Sequence, residues 1–216
     1  LSFAAPAAAA KIAVESVAAL AEAMRTAKAG DVIAIAPGTC TLTEAIAAAR
    51  QGAKAKPITV RATALGAVRL KSSAVELFKL QAGYWVFENL IIQGVCRRHK
   101  YCQHAFYIVG AAEGTVIRNN HLRDFNAAIK GNGIVITAKR LFPSRVLIEG
   151  NAFFNAAPRK TARRVTPINV VGGSHWVIRR NFFADFGKVE GNRMSYAAFL
   201  KGNSSHGLME RNLVIC

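Results

Sequence analysis

The sequence predicts an all-β solenoid, a right-handed parallel β-helix with an N-terminal capping α-helix, because it contains a repeat and because strand patterns flank that repeat. Each repeat holds an apolar cluster, an asparagine and a second apolar group. The aligned asparagines, separated by 31, 31, 30 and 31 residues, are Asn89, Asn120, Asn151, Asn181 and Asn212. Chance placement of a common residue would not keep this spacing and the same flanks together, so the repeat indicates stacked coils.

A second strand pattern runs in phase with the asparagines. Short β-rich runs at residues 106–110, 128–132, 168–172 and 198–203 each precede one of the last four asparagines. One such coil cannot bury its own apolar face, whereas stacked coils bury it continuously. Asparagines buried at a repeated corner can hydrogen-bond to one another and to turn backbone. We therefore interpret them as residues that stabilise the fold and assign them no chemistry.

The first third of the chain lacks the asparagine repeat and predicts a helix followed by strands. Residues 14–28 have apolar side chains at helical spacing and no helix breaker. Residues 32–35 and 57–62 predict strands, and residues 37–38 predict a turn between them. A helix over the first coil would shield its apolar side chains and strand edges from water.

The sequence predicts one domain preceded by a short tail. Residues 1–13 predict an N-terminal tail, either a signal-peptide remnant or a loose segment. Residues 14–216 predict a single β-helix domain. The chain stops within a strand pattern at residues 213–216, so we expect further coils or a partner at this end.

Charge is the main compositional signal. Lysine and arginine total 29 against 12 acidic residues, which gives a net charge of +17. A field of this sign favours polyanionic partners. Two short basic clusters lie at residues 96–100 and 159–164. The sequence contains no known nucleic-acid-binding motif and no apolar run of about 18 to 20 residues, so we expect neither a specific nucleic-acid partner nor a membrane span.

Cysteine and histidine form a compact set at Cys96, His99, Cys102 and His104. Three interpretations stay open from the residues alone: a metal site, a Cys96–Cys102 disulfide in an exported protein, or separate reduced thiols. The cysteines outside this set are interpreted as buried fillers.

The N-terminal part of the chain resembles the alginate lyase and chondroitinase B family of polysaccharide lyases. The residues that carry the resemblance are 20–27, 29–33, 37–39, 56–62 and 84–90. The resemblance implies a periplasmic or extracellular lyase that cleaves an acidic, uronate-containing polysaccharide by β-elimination. In this family a lysine on a β-helix strand is the base, an arginine about one coil later is the acid, and calcium is held by acidic and asparagine side chains.

Carrying these roles over gives two candidates for each catalytic position. Lys130 and Lys201 both stand at a strand end before Gly-Asn, and we interpret them as equivalent positions of the repeat and as candidates for the base. Arg163 and Arg164 stand just before the strand that follows Lys130, and they are the candidates for the acid. Residues expected to bind the substrate through carboxylate, hydrogen-bond or ring contacts are Arg159, His175, His206, Tyr196, Asn132 and Asn203. Tyr101, Tyr107 and Trp176 are further candidates for stacking on sugar rings.

Two other functions remain open. The protein can instead be a non-catalytic glycan-binding or cell-surface structural β-helix. A hydrolase would need paired carboxylates, for which Asp124 and Asp185 are the candidates because each follows the asparagine of its coil.

Overall fold

The computed structural model describes residues 9–215, which form a parallel β-solenoid of right-handed type. Its elements as far as the fourth sheet-forming coil are β1 Lys11–Val14, α1 Val17–Thr26, β2 Val32–Ile35, β3 Gly38–Leu42, β4 Ile46–Ala48, β5 Ile58–Arg61, β6 Val68–Ser72, β7 Glu76–Leu80, β8 Trp85–Glu88, β9 Leu90–Gly94, a 3-10 turn at His99–Tyr101, and β10 His104–Val109. The remaining strands are β11 Val116–Arg118, β12 His121–Arg123, β13 Ile129–Asn132, β14 Ile134–Ile136, β15 Lys139–Leu141, β16 Leu147–Glu149, β17 Ala152–Phe154, β18 Ile168–Val171, β19 Val177–Arg179, β20 Phe182–Phe183, β21 Ala198–Lys201, β22 Leu208–Glu210 and β23 Leu213–Val214.

Three parallel sheets run along the solenoid. The eight-stranded sheet has the order β1-β2-β5-β8-β11-β16-β19-β22, and the seven-stranded sheet has the order β3-β6-β9-β12-β17-β20-β23. The six-stranded sheet has the order β4-β7-β10-β13-β18-β21. Each strand pairs with its counterpart one coil away, while β14 and β15 form a separate antiparallel hairpin.

The core is a set of stacked side chains. Strands alternate buried and half-exposed residues, as a strand with one face inward must. Stacking places like residues above one another, so the Phe153 and Phe183 rings lie 4.9 Å apart and nearly parallel. Phe78, Phe87 and Phe106 form a second aromatic group with centroids 5.0 to 5.5 Å apart. Within residues 9–215, the only α-helix is too short and too polar to cross a bilayer.

The asparagine column is confirmed for four of its five predicted members. The amide of Asn120 donates to Asn151 Oδ1 at 3.1 Å, Asn151 donates to Asn181 at 3.1 Å, and Asn181 donates to Asn212 at 3.0 Å. Each of these amides also donates to a backbone carbonyl, for example that of Ile117. The column therefore satisfies polar groups that would otherwise be buried without partners.

Asn89 does not belong to this column, and that prediction was wrong. The strand register pairs Glu88 with Arg118, which sets Asn89 beside Asn119. Their side chains hydrogen-bond at 2.6 Å, and both residues have positive φ. Leu90 takes the column position, and its N–H donates to Asn120 Oδ1 at 3.0 Å.

The N-terminal segment also differs from prediction. The helix is α1, capped at its start by the Ser16 hydroxyl, which accepts from the N–H of Ala19 at 3.1 Å. Part of the predicted tail is strand β1, which pairs with β2 because its apolar side chains join the first coil. The remainder of the tail, residues 1–8, lies outside the described residues. Gly38, predicted as a turn, begins β3.

Helix α1 buries Leu20, Ala23 and Met24 and packs against β1 to β4. Its role as a cap of the solenoid stays a prediction.

Replacing Asn151 by alanine should lower the free energy of unfolding by about 3 kcal/mol, because Asn120 and Ile117 lose buried partners. Asn89→Gly is the matched control, since glycine tolerates the positive φ and the residue lies outside the column. Urea denaturation of the two variants should show a large loss for the first and a small one for the second. Equal losses would contradict the role of the column.

Candidate functional site

The outward face of the six-stranded sheet carries a row of polar, charged and aromatic side chains. One residue from each of five successive strands lies in register, and we call this set the outward row: Lys79, Tyr107, Lys130, Asn169 and Phe199. Alternation along a strand explains its existence. The residues just before them, such as Phe78, Phe106 and Ile129, are buried, so the row itself must point outward.

Lys130 is the most perturbed member of the row. Its ammonium donates to Asn169 Oδ1 at 2.9 Å, on the neighbouring coil. Burial, together with the positive charges of Lys201 and Arg164, lowers the pKa of Lys130 to about 8. A lysine with such a pKa supplies an appreciable fraction of neutral amine near neutral pH, as a general base requires.

Lys201 lies on the same face but is not the counterpart of Lys130, so the predicted equivalence was wrong. The register aligns Lys130 with Asn169 and Phe199, while Lys201 stands beside Val171. Lys130 is the second residue of its strand and Lys201 is the last residue of its own. The ammonium of Lys201 lies 4.7 Å from the Phe199 ring centroid, so the two lysines still share one surface.

The two candidate arginines point to different places. The Arg164 guanidinium lies 5.7 Å from the Phe199 ring and lines a cavity of about 200 Å³ together with Tyr196. Its charge lowers the pKa of both Lys130 and Lys201. Arg163 instead lines a separate, larger cleft. Arg164 is therefore the arginine that the fold brings to the outward row.

Tyr107 is the row member next to Lys130 on the other side. Its ring stacks on His104 with centroids 5.5 Å apart, and its hydroxyl lies 3.5 Å from the Asn132 amide nitrogen. His104 Nδ1 lies 2.8 Å from the Ala127 carbonyl oxygen, which can only accept, so Nδ1 carries the proton. Burial lowers the pKa of His104 to about 4, so the ring that supports Tyr107 is neutral at physiological pH.

The remaining predicted substrate contacts on this face sit beside the row. Tyr196 is exposed and meets Phe199 edge to face at 5.8 Å. Asn132 is half-buried at the end of β13. Asn203 is exposed in the turn after β21, with a φ of 64°.

Arg159 is not a surface residue, and its predicted contact with the substrate was wrong. Its side chain is only 3% exposed. It donates to Asn126 Oδ1 at 3.3 Å and to the His99 carbonyl at 3.2 Å. These partners hold two loops together and leave the guanidinium unavailable to a carboxylate on the surface.

His175 and His206, both predicted to bind the substrate, stack with their ring centroids 4.7 Å apart and nearly parallel. They lie in the corner between the six-stranded and eight-stranded sheets, beyond the ends of β18 and β21. Their part in substrate binding stays a prediction.

The compact cysteine and histidine set is resolved as a disulfide. Cys96 and Cys102 are bonded, with their Cα atoms 5.6 Å apart, so neither sulfur is a free thiolate for a metal. His99 and His104 have other partners, the N–H of Lys160 and the Ala127 carbonyl. Cys40 is half-buried, and Cys216 lies outside the described residues.

Asp124 and Asp185 do not form a carboxylate pair. Asn155 lies between them in the stack, and its amide donates to the Asp185 carbonyl at 3.0 Å. Asp124 is buried and accepts from Gln93, Arg123 and the N–H of Ala156. The geometry gives the hydrolase alternative no support.

Tyr107, Asn169 and Phe199 are three of the five members of the row, yet residue-type patterns left out Asn169 and Phe199 and named Tyr107 only for stacking. The signal that finds them is the alternation itself. Once the buried positions of β10, β13, β18 and β21 are aligned, the outward residues between them follow.

Comparison with known proteins finds likeness in structure alone. No family model and no curated protein matches the chain. An alginate lyase from Paenibacillus sp. str. FPU-7 superposes with a TM-score of 0.59 at 16% identity, over 95% of this chain and 76% of that enzyme. A mannuronic acid-specific family 6 polysaccharide lyase from the human gut microbiota gives a TM-score of 0.57 at 14% identity, over 95% of this chain and 54% of that one.

A pectate lyase gives a TM-score of 0.53 at 14% identity, over 82% of this chain and 47% of that enzyme. At these identities the likeness concerns the fold. The chain therefore has the parallel β-helix fold of polysaccharide lyases.

Proposed function

We propose that the protein is an exported polysaccharide lyase that cleaves a uronate-containing chain by β-elimination on the outward row. The observation that carries this proposal is the state of Lys130, a half-buried lysine whose pKa is lowered to about 8 on the open face of the sheet. The similar folds of an alginate lyase, a mannuronic acid-specific lyase and a pectate lyase support the substrate class. The net charge of +17 and the disulfide agree with an anionic substrate and an oxidising compartment.

In the proposed reaction the neutral amine of Lys130 removes the proton from the sugar carbon that bears the carboxylate. The electron pair of that C–H bond forms a carbon–carbon double bond, and the glycosidic C–O bond at the next carbon breaks. The leaving oxygen takes a proton. One product therefore has a new non-reducing end with a double bond, and the other has a new reducing end. Exchange of protons with water then restores the side chains.

Arg164 and Lys201 are proposed to neutralise the carboxylate. A guanidinium binds a carboxylate through two parallel hydrogen bonds, which draws charge from the adjacent carbon and makes its proton more acidic. Both cations already act on Lys130, so a carboxylate bound by them would lie near the base. Arg163, which faces another cleft, has no part in this step.

Tyr107 is proposed as the acid that protonates the leaving oxygen. It stands beside Lys130 in register, one strand spacing of about 4.8 Å away, so base and acid can flank one glycosidic bond. The neutral, buried ring of His104 holds the phenol in place. In the family resemblance this role falls to an arginine, and at this position the row offers a tyrosine instead.

The other polar and aromatic residues of this face are proposed to bind sugar. Phe199 and Tyr196 offer rings at one end of the row, and rings of this kind stack on the faces of sugars. Asn132 and Asn203 offer amides to the hydroxyl groups.

Calcium, which the resemblance implies, does not fit the described residues beside Lys130. Calcium takes several oxygen ligands, carboxylates above all. Asn169 Oδ1 already accepts from Lys130, and residues 9–215 contain no group of three or more His, Cys, Asp or Glu side chains able to hold a metal ion. In the proposed reaction Arg164 and Lys201 therefore neutralise the carboxylate, the task that calcium has in the family.

The experiment that tests the proposal is incubation with polymannuronate, polygalacturonate and chondroitin while ultraviolet absorbance is followed. Growth of absorbance from the unsaturated product is the expected result. Reducing ends without that absorbance would indicate hydrolysis and contradict the proposal. Retention on an immobilised polyuronate without any turnover would favour the alternative of a non-catalytic glycan-binding protein. The lack of suitable calcium ligands beside Lys130 among the described residues favours the same alternative.

Chelation gives a separate expected result. Because two cationic side chains replace the metal in this account, treatment with a chelator should change the elimination rate by less than about two-fold. The check is a rate measurement before and after dialysis against chelator. A rate that collapses and returns on addition of calcium would contradict the assignment to Arg164 and Lys201.

A further inference from the structure

A second basic surface lies beside the outward row. Residues 97–100 and 160–163, together with Glu190, line a cleft of about 590 Å³, and we call it the basic cleft. Its permanent cations are Arg97, Arg98, Lys100, Lys160 and Arg163. Glu190 is the single carboxylate among its lining residues, so five cations face one anion. Such a field strongly attracts a polyanion.

Hydrogen bonds and a disulfide hold the walls of the basic cleft together. The His99 carbonyl accepts from Asn126 at 2.9 Å and from buried Arg159 at 3.2 Å, and the His99 ring accepts from the N–H of Lys160 at 2.8 Å. The Cys96–Cys102 disulfide closes the loop that carries the first three cations. Since like charges repel, walls pinned in this way indicate a site prepared for an anion.

The basic cleft adjoins the proposed catalytic face through one short segment. Arg163 lines the cleft, and its neighbour Arg164 lines the cavity near Tyr196, while Ala162 lines both. Lys188, only 7% exposed, fixes the segment by donating to the carbonyls of Ala162 and Arg163 at 3.3 Å. A bound chain can therefore pass from one to the other without a break in positive charge.

We propose that the basic cleft is a remote subsite that holds the carboxylates of further sugars of the same uronate chain. This inference rests on the proposed function. A uronate polymer carries one carboxylate on each sugar, so cations spaced beyond the catalytic face bind only chains long enough to reach them. The cleft thus makes the protein select long chains over short ones, and it increases affinity without taking part in bond cleavage.

The test compares the double variant Arg97→Gln/Arg98→Gln with Lys54→Gln/Lys56→Gln, which removes the same charge from a turn before β5. Binding is measured calorimetrically in a Lys130→Met background, so that turnover does not interfere. The first pair should weaken the binding of long polymannuronate by about 10-fold to 100-fold and reduce its salt dependence. The affinity of the Arg97→Gln/Arg98→Gln variant for the shortest oligomers should stay unchanged. When Lys130 is restored, this variant should also cleave those oligomers at the wild-type rate.

Long-chain affinity that is equal in the two double variants would overturn the inference. So would an oligonucleotide that binds more tightly than the uronate chain and loses its binding in the first variant, since the cleft would then serve nucleic acid. Binding is measured without turnover. A wild-type protein that fails to cleave any polyuronate would therefore refute the lyase proposal, while the binding measurement would still test the role of the basic cleft.

Discussion

Replacing Lys130 by methionine should lower kcat on the preferred polyuronate by about 100-fold to 10,000-fold. Methionine has a similar length and no amine, so the variant keeps the packing and loses the only group of the outward row proposed to take the sugar proton. Absorbance of the unsaturated product measures the rate. KM should change little, because Arg164 and Lys201 still hold the carboxylate.

The matched control is Lys71→Met, which removes a half-exposed strand lysine from the seven-stranded sheet. It should leave kcat within about two-fold of the wild type, as is usual for surface sites away from the chemistry. If both variants keep full activity, or if both lose the same amount, Lys130 is not the base.

Tyr107→Phe should lower kcat by about 100-fold or more, because the leaving oxygen loses its proton donor while the ring still stacks on His104. The loss should be smaller on substrates with a better leaving group, which need less protonation. That difference separates an acid from a residue that only shapes the site.

Tyr84→Phe serves as its control, since it removes a phenol hydroxyl at the corner before the eight-stranded sheet. It should leave the rate on every substrate unchanged. A Tyr107 variant with full kcat would assign protonation of the leaving oxygen to water or to another side chain.

The architecture was predictable from sequence because each coil of a solenoid must satisfy the same structural requirements. Every coil needs the same buried strands and the same corner amide, so the pattern recurs and can be read without knowledge of tertiary structure. Asn89 shows the limit of that approach. The doublet Asn119–Asn120 allowed two alignments, and only strand pairing reveals that Asn119 is the partner of Asn89.

The site was predictable only in part, for a related reason. Lys130 and Lys201 stand in the same local sequence, Lys-Gly-Asn, but register is decided by the inward residues Ile129, Ile168 and Ala198. These place Lys201 two positions further along its strand than Lys130. Composition along the chain carries no direct information about such an offset.

Arg159 illustrates the second limit. A cluster of basic residues suggests a charged surface, yet the partners that bury Arg159 come from Asn126 and from the His99 carbonyl, 60 residues earlier in the chain. Tyr107 is the opposite case. The alternation of β10 already places it outward beside Lys130, and a register drawn from buried positions would have identified it.

The measurement that tests the account most directly is the pH dependence of kcat/KM in the wild type and in Lys201→Gln, because kcat/KM reports the pKa values of the free protein. A neutral Lys130 is the active form, so the rate should rise with pH through a limb near pH 8, the value to which burial and nearby cations lower its pKa. Removing the Lys201 charge makes protonated Lys130 less unfavourable, so its pKa should rise and the limb should move to higher pH. A rate that does not fall below pH 8, or a limb that stays in place in Lys201→Gln, would contradict the assignment of Lys130 as the base.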